Sequence, residues 1–245
     1  MPSQINLQIT GRIDNLICYK VGDKYYMRTA PVKVKQTKAT KKRAGEFGKA
    51  SGIGKCLRQQ LLPSIPFPAD NKMQTRLVSA LFQWLRSGYD ANQPSDDVPF
   101  VNNFQFTDGY TINERWKIPL QVTNSEPGLL ELKIPAFVPA KSLSAPAGTV
   151  SVKCHIAVAA CHVETRVATG GISTSILYDY DEAEVAERTV SLPVPTTAGS
   201  IVVTAISLEY NFIKNGHLEK TTNKAFMPSG VVSAMYLAGS CEDRG

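Results

Sequence analysis

Histidine is scarce in these 245 residues: His155, His162 and His217 are the only three. The chain has no G-x-S-x-G elbow and no H-E-x-x-H pair on a helix. No nucleophile stands at a recognisable spacing from a base. The expectation is a protein that is not an enzyme, with no catalytic, cofactor-binding or metal-binding residue and no cofactor. No apolar run approaches the ~18 residues a membrane-crossing helix needs. The opening MPSQINLQITGRIDN lacks the basic and apolar regions of a secretory leader. The chain is therefore expected to be cytoplasmic, without a membrane partner. Five cysteines (Cys18, Cys56, Cys154, Cys161 and Cys241) make an odd set without framework spacing, which reads as reduced thiols and not as a disulfide scaffold.

What is present is charge of one sign in one place. The apolar share of 43% and charged share of 20% are those of a soluble globular chain, long enough for one large or two ordinary domains. The net charge of +6 is unevenly spread. Residues 1–65 hold 13 Lys and Arg against 3 Asp and Glu, a balance of +10, and the remainder is at −4. Such a division implies an anionic partner or packing against an acidic surface.

Along the chain, INLQIT (5–10) alternates as a short strand does. LICYKV (16–21) and KYYMRT (24–29) are β-rich runs joined by Gly22-Asp23, a hairpin with glycine at the first central turn position. A two-stranded ribbon is only marginally stable alone and has to lie on something. Pro31 to Lys42 is a cationic arm leading into a helix, with Thr37 or Thr40 as its cap. Phe47, Ala50, Gly54, Leu57 and Leu61 fall on one face of that helix. Its glycines, costing ~1 kcal/mol each relative to alanine, imply a kink or a very close neighbour. Asp70 caps a second helix with the stripe Met73, Leu77, Leu81, Trp84 and Leu85. SGYDANQPSDDVP then reads as a linker, with a domain boundary near Pro94.

Beyond it the pattern is β: Trp116 to Val122, Leu130 to Ile134, Val150 to Val163, Ser175 to Tyr180, Arg188 to Val194, Ile201 to Phe212 and Val231 to Leu237. The predicted fold class is α+β. A small N-terminal β-hairpin with two helices (1–93) precedes an antiparallel immunoglobulin- or fibronectin-like sandwich of about seven strands (94–245). The Cys…Trp…Cys spacing of antibody domains is absent.

Several motifs fail on physical grounds. GKASGIGK (48–55) resembles a phosphate loop, but five residues separate Gly48 from Gly54, Cys56 replaces the magnesium-holding hydroxyl, and no strand precedes it. Cys154, His155, Cys161 and His162 lie on one run without a turn residue, so alternation sends them to opposite faces, where zinc's tetrahedral convergence is out of reach. Asp179, Asp181, Glu182, Glu184 and Glu187 lack the glycine and spacing of a calcium loop and read as a solvated acidic loop.

The candidate site residues are therefore those of the N-terminal third. Lys33, Lys35, Lys38, Lys41, Lys42 and Arg43 are expected to meet an anionic partner. Tyr19, Tyr25, Tyr26 and Arg28 are expected to dock the hairpin. The main expectation is a structural or interaction protein, an assembly component with a protein partner or a second copy of itself. The alternative is a nucleic-acid-binding protein, its lysines on phosphates and its tyrosines on bases.

Gly11, Ile13, Asn15, Leu16, Tyr19, Asp23, Tyr26, Arg28 and Pro31 together resemble the opening G-x-[IL]-x-N-[LIV]-x-x-Y-x-x-x-[GD]-x-x-Y-x-R-x-x-P of a family of uncharacterised Bacteroidota proteins, a domain of unknown function. ILYDYD (176–181), RTVSLPVP (188–195) and VVSAMYLAG (231–239) are similar to motifs of that family's β-rich second half. The resemblance implies a two-part architecture and brings no catalytic residues with it.

Overall fold

The computed structural model describes residues 9–30, 36–66, 70, 72–91, 93–95, 97–107, 111–126, 128–195 and 197–238. The chain divides into two compact units, residues 1–43 and 44–245.

The first unit is a three-stranded antiparallel meander of β1 (Gly11–Ile13), β2 (Leu16–Val21) and β3 (Lys24–Thr29). The hairpin is where the sequence places it. Gly22, at φ +60°, supplies the left-handed residue that a tight two-residue connection requires. The third strand is additional: Asp14, at φ 46°, turns the chain so that Arg12 stands opposite Ile17 and Gly11 opposite Cys18. The expected strand at 5–10 falls mostly outside the described residues.

Helix α1 (Lys38–Leu61) begins in the first unit and continues into the second. In the second unit follow, among the described residues, α2 (Met73–Arg86), the single turns α3 (Ile112–Arg115) and α4 (Pro139–Ser142), and eight strands. These are β4 (Gln121–Glu126), β5 (Leu129–Ile134), β6 (Thr149–His162), β7 (Ala168–Asp179), β8 (Arg188–Pro193), β9 (Ser200–Lys214), β10 (His217–Lys220) and β11 (Ser229–Leu237). All pairings are antiparallel, and one sheet curls as a half-barrel. The larger sheet runs β10-β9-β6-β7, with β11 on the same side of β9 as β10, and β7 forms its open edge. The smaller sheet is β4-β5-β8.

Two cores explain why β6 and β9 are apolar on both faces. One face of the larger sheet, with Ala157, Ala159, Cys161, Val203 and Ala205, shares a core with Ile53, Leu57 and Leu61 of α1 and with Leu77, Leu81 and Trp84 of α2. The other face, with Val152, Cys154, Ile156, Leu208 and Tyr210, packs against Leu130, Leu132 and Ile134 of β5, Leu192 of β8, and Trp116 and Phe137. Burying each large aliphatic side chain contributes roughly 1.5–3 kcal/mol. The expected boundary near Pro94 thus lies inside the second unit, because the helices bury their stripes on strands that follow it.

Proximity accounts for two of the four glycines of α1, Gly52 against the Arg166 side chain and Gly54 against α2, while Gly45 and Gly48 have open space. A Cβ on Gly54 would stand 3.3 Å from Val78 Cγ2 and 3.4 Å from Leu81 Cδ1, so its hydrogen is what lets α2 lie close. Among the described residues no helix is long and apolar enough to cross a membrane.

Candidate functional site

In an antiparallel ladder, residues directly opposite one another point to the same face. The register pairs Tyr19 with Tyr26, Ile17 with Arg28, Val21 with Lys24, and Arg12 with Ile17. One face of the N-terminal sheet therefore carries Arg12, Arg28 and Lys24 around Tyr19 and Tyr26. The opposite face carries Ile13, Leu16, Cys18 and Met27, with Lys20 and Tyr25 at the turn end.

The cationic face is built around an aromatic pair. The rings of Tyr19 and Tyr26 stack with centroids 5.8 Å apart and 23° between planes. The Arg28 guanidinium lies 5.8 Å over the Tyr19 ring, a cation–π contact. Both rings remain open to solvent, at 39% and 45% exposure. Among the described residues Arg12, Lys24 and Arg28 have no carboxylate within ion-pair distance; the sheet's own ion pair is Lys20–Asp23, at 4.0 Å. Tyr25 belongs to the other face, with Lys20 5.5 Å over its ring.

Of the arm, Lys33 and Lys35 lie outside the described residues. Lys38, Lys41, Lys42 and Arg43 occupy the opening turns of α1, all exposed. Thr37 caps this helix, its hydroxyl accepting from the Thr40 amide at 3.1 Å. Lys38 in the first turn, with no acid there, opposes the backbone dipole at roughly 0.3–1 kcal/mol when unscreened, and Lys41, Lys42 and Arg43 add like charge just beyond it. A bound anion would relieve that cost.

The other candidate groups are dispersed. GKASGIGK lies within α1, where backbone amides are committed to helical hydrogen bonds and cannot cradle a phosphate. Cys154 and Cys161 lie in different cores, the first among the β5 side chains and the second beneath the helices. Among the described residues no three His, Cys, Asp or Glu side chains converge as a metal site. Asp179, Asp181, Glu182, Glu184 and Glu187 are exposed between β7 and β8, with Glu187 3.0 Å from Lys133.

Two clusters escape the sequence. The thiols of Cys56 on α1 and Cys161 on β6 are hydrogen-bonded, which lowers the pKa of Cys56 and raises that of Cys161. Gln60 Nε2 donates to Cys56 Sγ at 3.4 Å and to the Ala160 carbonyl at 3.1 Å. On the sheet face beyond the helices, His155 Nε2 lies 3.8 Å from Glu209, which also meets Lys220 at 3.8 Å. Burial lowers the pKa of His155, with Lys153 and Lys220 acting in the same direction and Glu209 against them. Arg12 and Lys24 join the candidate set only through strand register. The available signal was the alternation of Arg12 with Ile13 before the Asp14-Asn15 turn. No family model, curated protein or solved structure matches this chain.

Proposed function

We propose that this is a non-enzymatic interaction protein, an assembly component that docks an anionic partner through its N-terminal sheet and the cationic start of α1. The observation that carries the reading is the accessibility of that sheet. Strands β1 and β3 are exposed throughout, and β2 buries only Cys18. A sheet of this size gains too little from burial to offset the entropy of ordering it unless a further surface covers it. Its unit holds ten Lys and Arg against two Asp, so the complementary surface is an anionic one.

The reading is supported by the scatter of the histidines: His155 faces Glu209, His162 Nδ1 accepts from the Thr165 amide at 3.2 Å, and His217 is exposed at the start of β10. The second unit is read as a helix-backed variant of a sandwich, the small sheet over one face of the large one, serving as the scaffold. The test is retention of the full chain on an immobilised polyanion at low salt. Wild type should be held and released by salt, and a variant with Lys38, Lys41, Lys42 and Arg43 changed to Gln should elute earlier. Passage of the wild type in the flow-through at low salt would overturn the proposal.

A further inference from the structure

We infer that the face of the N-terminal sheet carrying Arg12, Tyr19, Lys24, Tyr26 and Arg28 binds single-stranded nucleic acid, with a base on the tyrosine stack and phosphates on the cations. The inference rests on the docking reading above and names the occupant of that surface. Three observations separate a single strand from other anions.

The first is the gathering of cations about a ring pair. Cross-strand register places Arg12, Lys24 and Arg28 on the tyrosine face, beside Ile17 and Val21, while the other face carries Ile13, Leu16 and Met27 with Lys20 and Tyr25. An acidic protein surface is satisfied by cations alone. It makes no use of a flat aromatic platform held in water at their centre.

The second is the geometry of that platform. Arg28 lies 5.8 Å over Tyr19, and Tyr19 stacks on Tyr26, so a cation and two rings are gathered at one place on the sheet. Among the described residues no other ring pairs with Tyr26, which is 45% exposed. A base has a π-face of matching size, and stacking on such a platform tolerates any base. A duplex hides those faces inside its own stack, so its share of the surface would be the cations only.

The third is the sequence that continues from the platform. From Lys24 to Gly45 the chain holds eight Lys and Arg and no Asp or Glu. Of these, Lys38, Lys41, Lys42 and Arg43 are exposed in the opening turns of α1, uncompensated positive charge that phosphates would neutralise.

Fluorescence anisotropy on the full chain tests this with three probes: a mixed-sequence single strand, the corresponding duplex, and polyglutamate. The single strand should bind tightest. Changing Tyr19 or Tyr26 to Leu should weaken it roughly five- to hundredfold, the range for loss of one base–aromatic stack. Tyr26→Phe keeps the ring and should hold affinity, and the Leu variants should bind polyglutamate as the wild type does, which separates lost stacking from damage to the sheet. Changing Arg12, Lys24 and Arg28 together to Gln should lower the salt slope by about 2, at roughly 0.7 per phosphate contact. Equal binding of duplex and single strand, or Leu variants that bind as wild type, would overturn the inference. If polyglutamate binds tighter than the strand, the partner is an acidic protein and only the docking reading survives. Failure to bind any of the three probes removes both.

Discussion

Tyr19 on β2 and Tyr26 on β3 stand directly opposite each other, their rings 5.8 Å apart and 23° from parallel. Such a pair contributes about 0.5–1.5 kcal/mol beyond the area it covers. In a sheet that buries so little, that is a large part of its cohesion. Tyr26→Ala should raise amide hydrogen exchange across residues 16–29 by that free energy. Exchange in β6 and β9, which belong to the other compact unit, should be unchanged.

The glycines of α1 should separate by their neighbours. A Cβ on Gly48 meets nothing within 4 Å, so Gly48→Ala gains helix propensity alone, about 0.5–1 kcal/mol. At Gly54 the methyls of Val78 and Leu81 already stand 3.3 and 3.4 Å from the new atom. Gly54→Ala should therefore stabilise less than Gly48→Ala, and Gly54→Leu should destabilise by about 1–3 kcal/mol through overpacking. Thermal unfolding of the three variants checks the order.

Asp70 performs two tasks at the start of α2. Its Oδ1 accepts from the Lys72 amide at 2.8 Å, and its Oδ2 holds Arg76 at 2.6 Å. Arg76 in turn donates to the Gln105 and Phe106 carbonyls. Asp70→Ala should cost about 1–2 kcal/mol. Asp70→Asn keeps an acceptor for the amide and loses the charge, so its denaturant midpoint should fall between those of wild type and Asp70→Ala.

Alkali should unfold the body through its second core. Burial pushes the Cys154 thiol from 9.0 up to about 12, and burial also raises the Tyr178 and Tyr210 phenols. In that window the folded chain holds protons that the unfolded chain has released, so stability falls as pH rises from about 9 toward 12. Cys154→Ala should lower stability at neutral pH and flatten its decline above pH 9. Tyr210→Phe removes the hydroxyl that donates to the Ser144 carbonyl at 2.9 Å, and should flatten the decline at higher pH. Urea titrations across pH 7 to 12 test both.

Acid acts through His155 with the opposite sign. Its folded pKa lies below 6.5, so the unfolded chain takes up the proton first and stability drops as pH falls through the region below 6.5. Lys153 on the same strand and Lys220 on β10 oppose protonation, while Glu209 on β9 favours it. His155→Gln should lessen the loss of stability between pH 6.5 and 5. Glu209→Gln should steepen it.

The legible parts of the fold were those set by local chemistry. Gly22-Asp23 between two β-rich runs, the Leu77–Leu81–Trp84 stripe and the long apolar run of β6 each state their element within a few residues. Strand β10 was not legible, because HLEK is too short and polar to alternate visibly. Half of β7 was also missed, since Gly170 and Gly171 weaken any strand signal. What no local pattern could show was where the helices pack. Ala157, Ala159 and Ala205 read as one side of a sheet strand, yet they form the floor on which α1 and α2 lie. At the candidate site, the arm lysines and the tyrosines were visible as residue types. Their sorting into faces was not, because it depends on a register in which Tyr19 meets Tyr26 and Tyr25 is turned away.

The open edge of β7 has its own consequence for handling the protein. Among the described residues eleven of its twelve positions pair, all with β6, and such an edge is a template on which another chain can aggregate. Two features of the strand discourage that. Gly170-Gly171 makes its first half a poor template. Its last residue, Asp179, opens a run of five carboxylates ending at Glu187, which in a second copy would repel the first. Screening that run with salt weakens the repulsion while leaving the edge intact. Concentrated protein should therefore be kept at low ionic strength, and turbidity that rises with added salt before any loss of helix would trace to this strand.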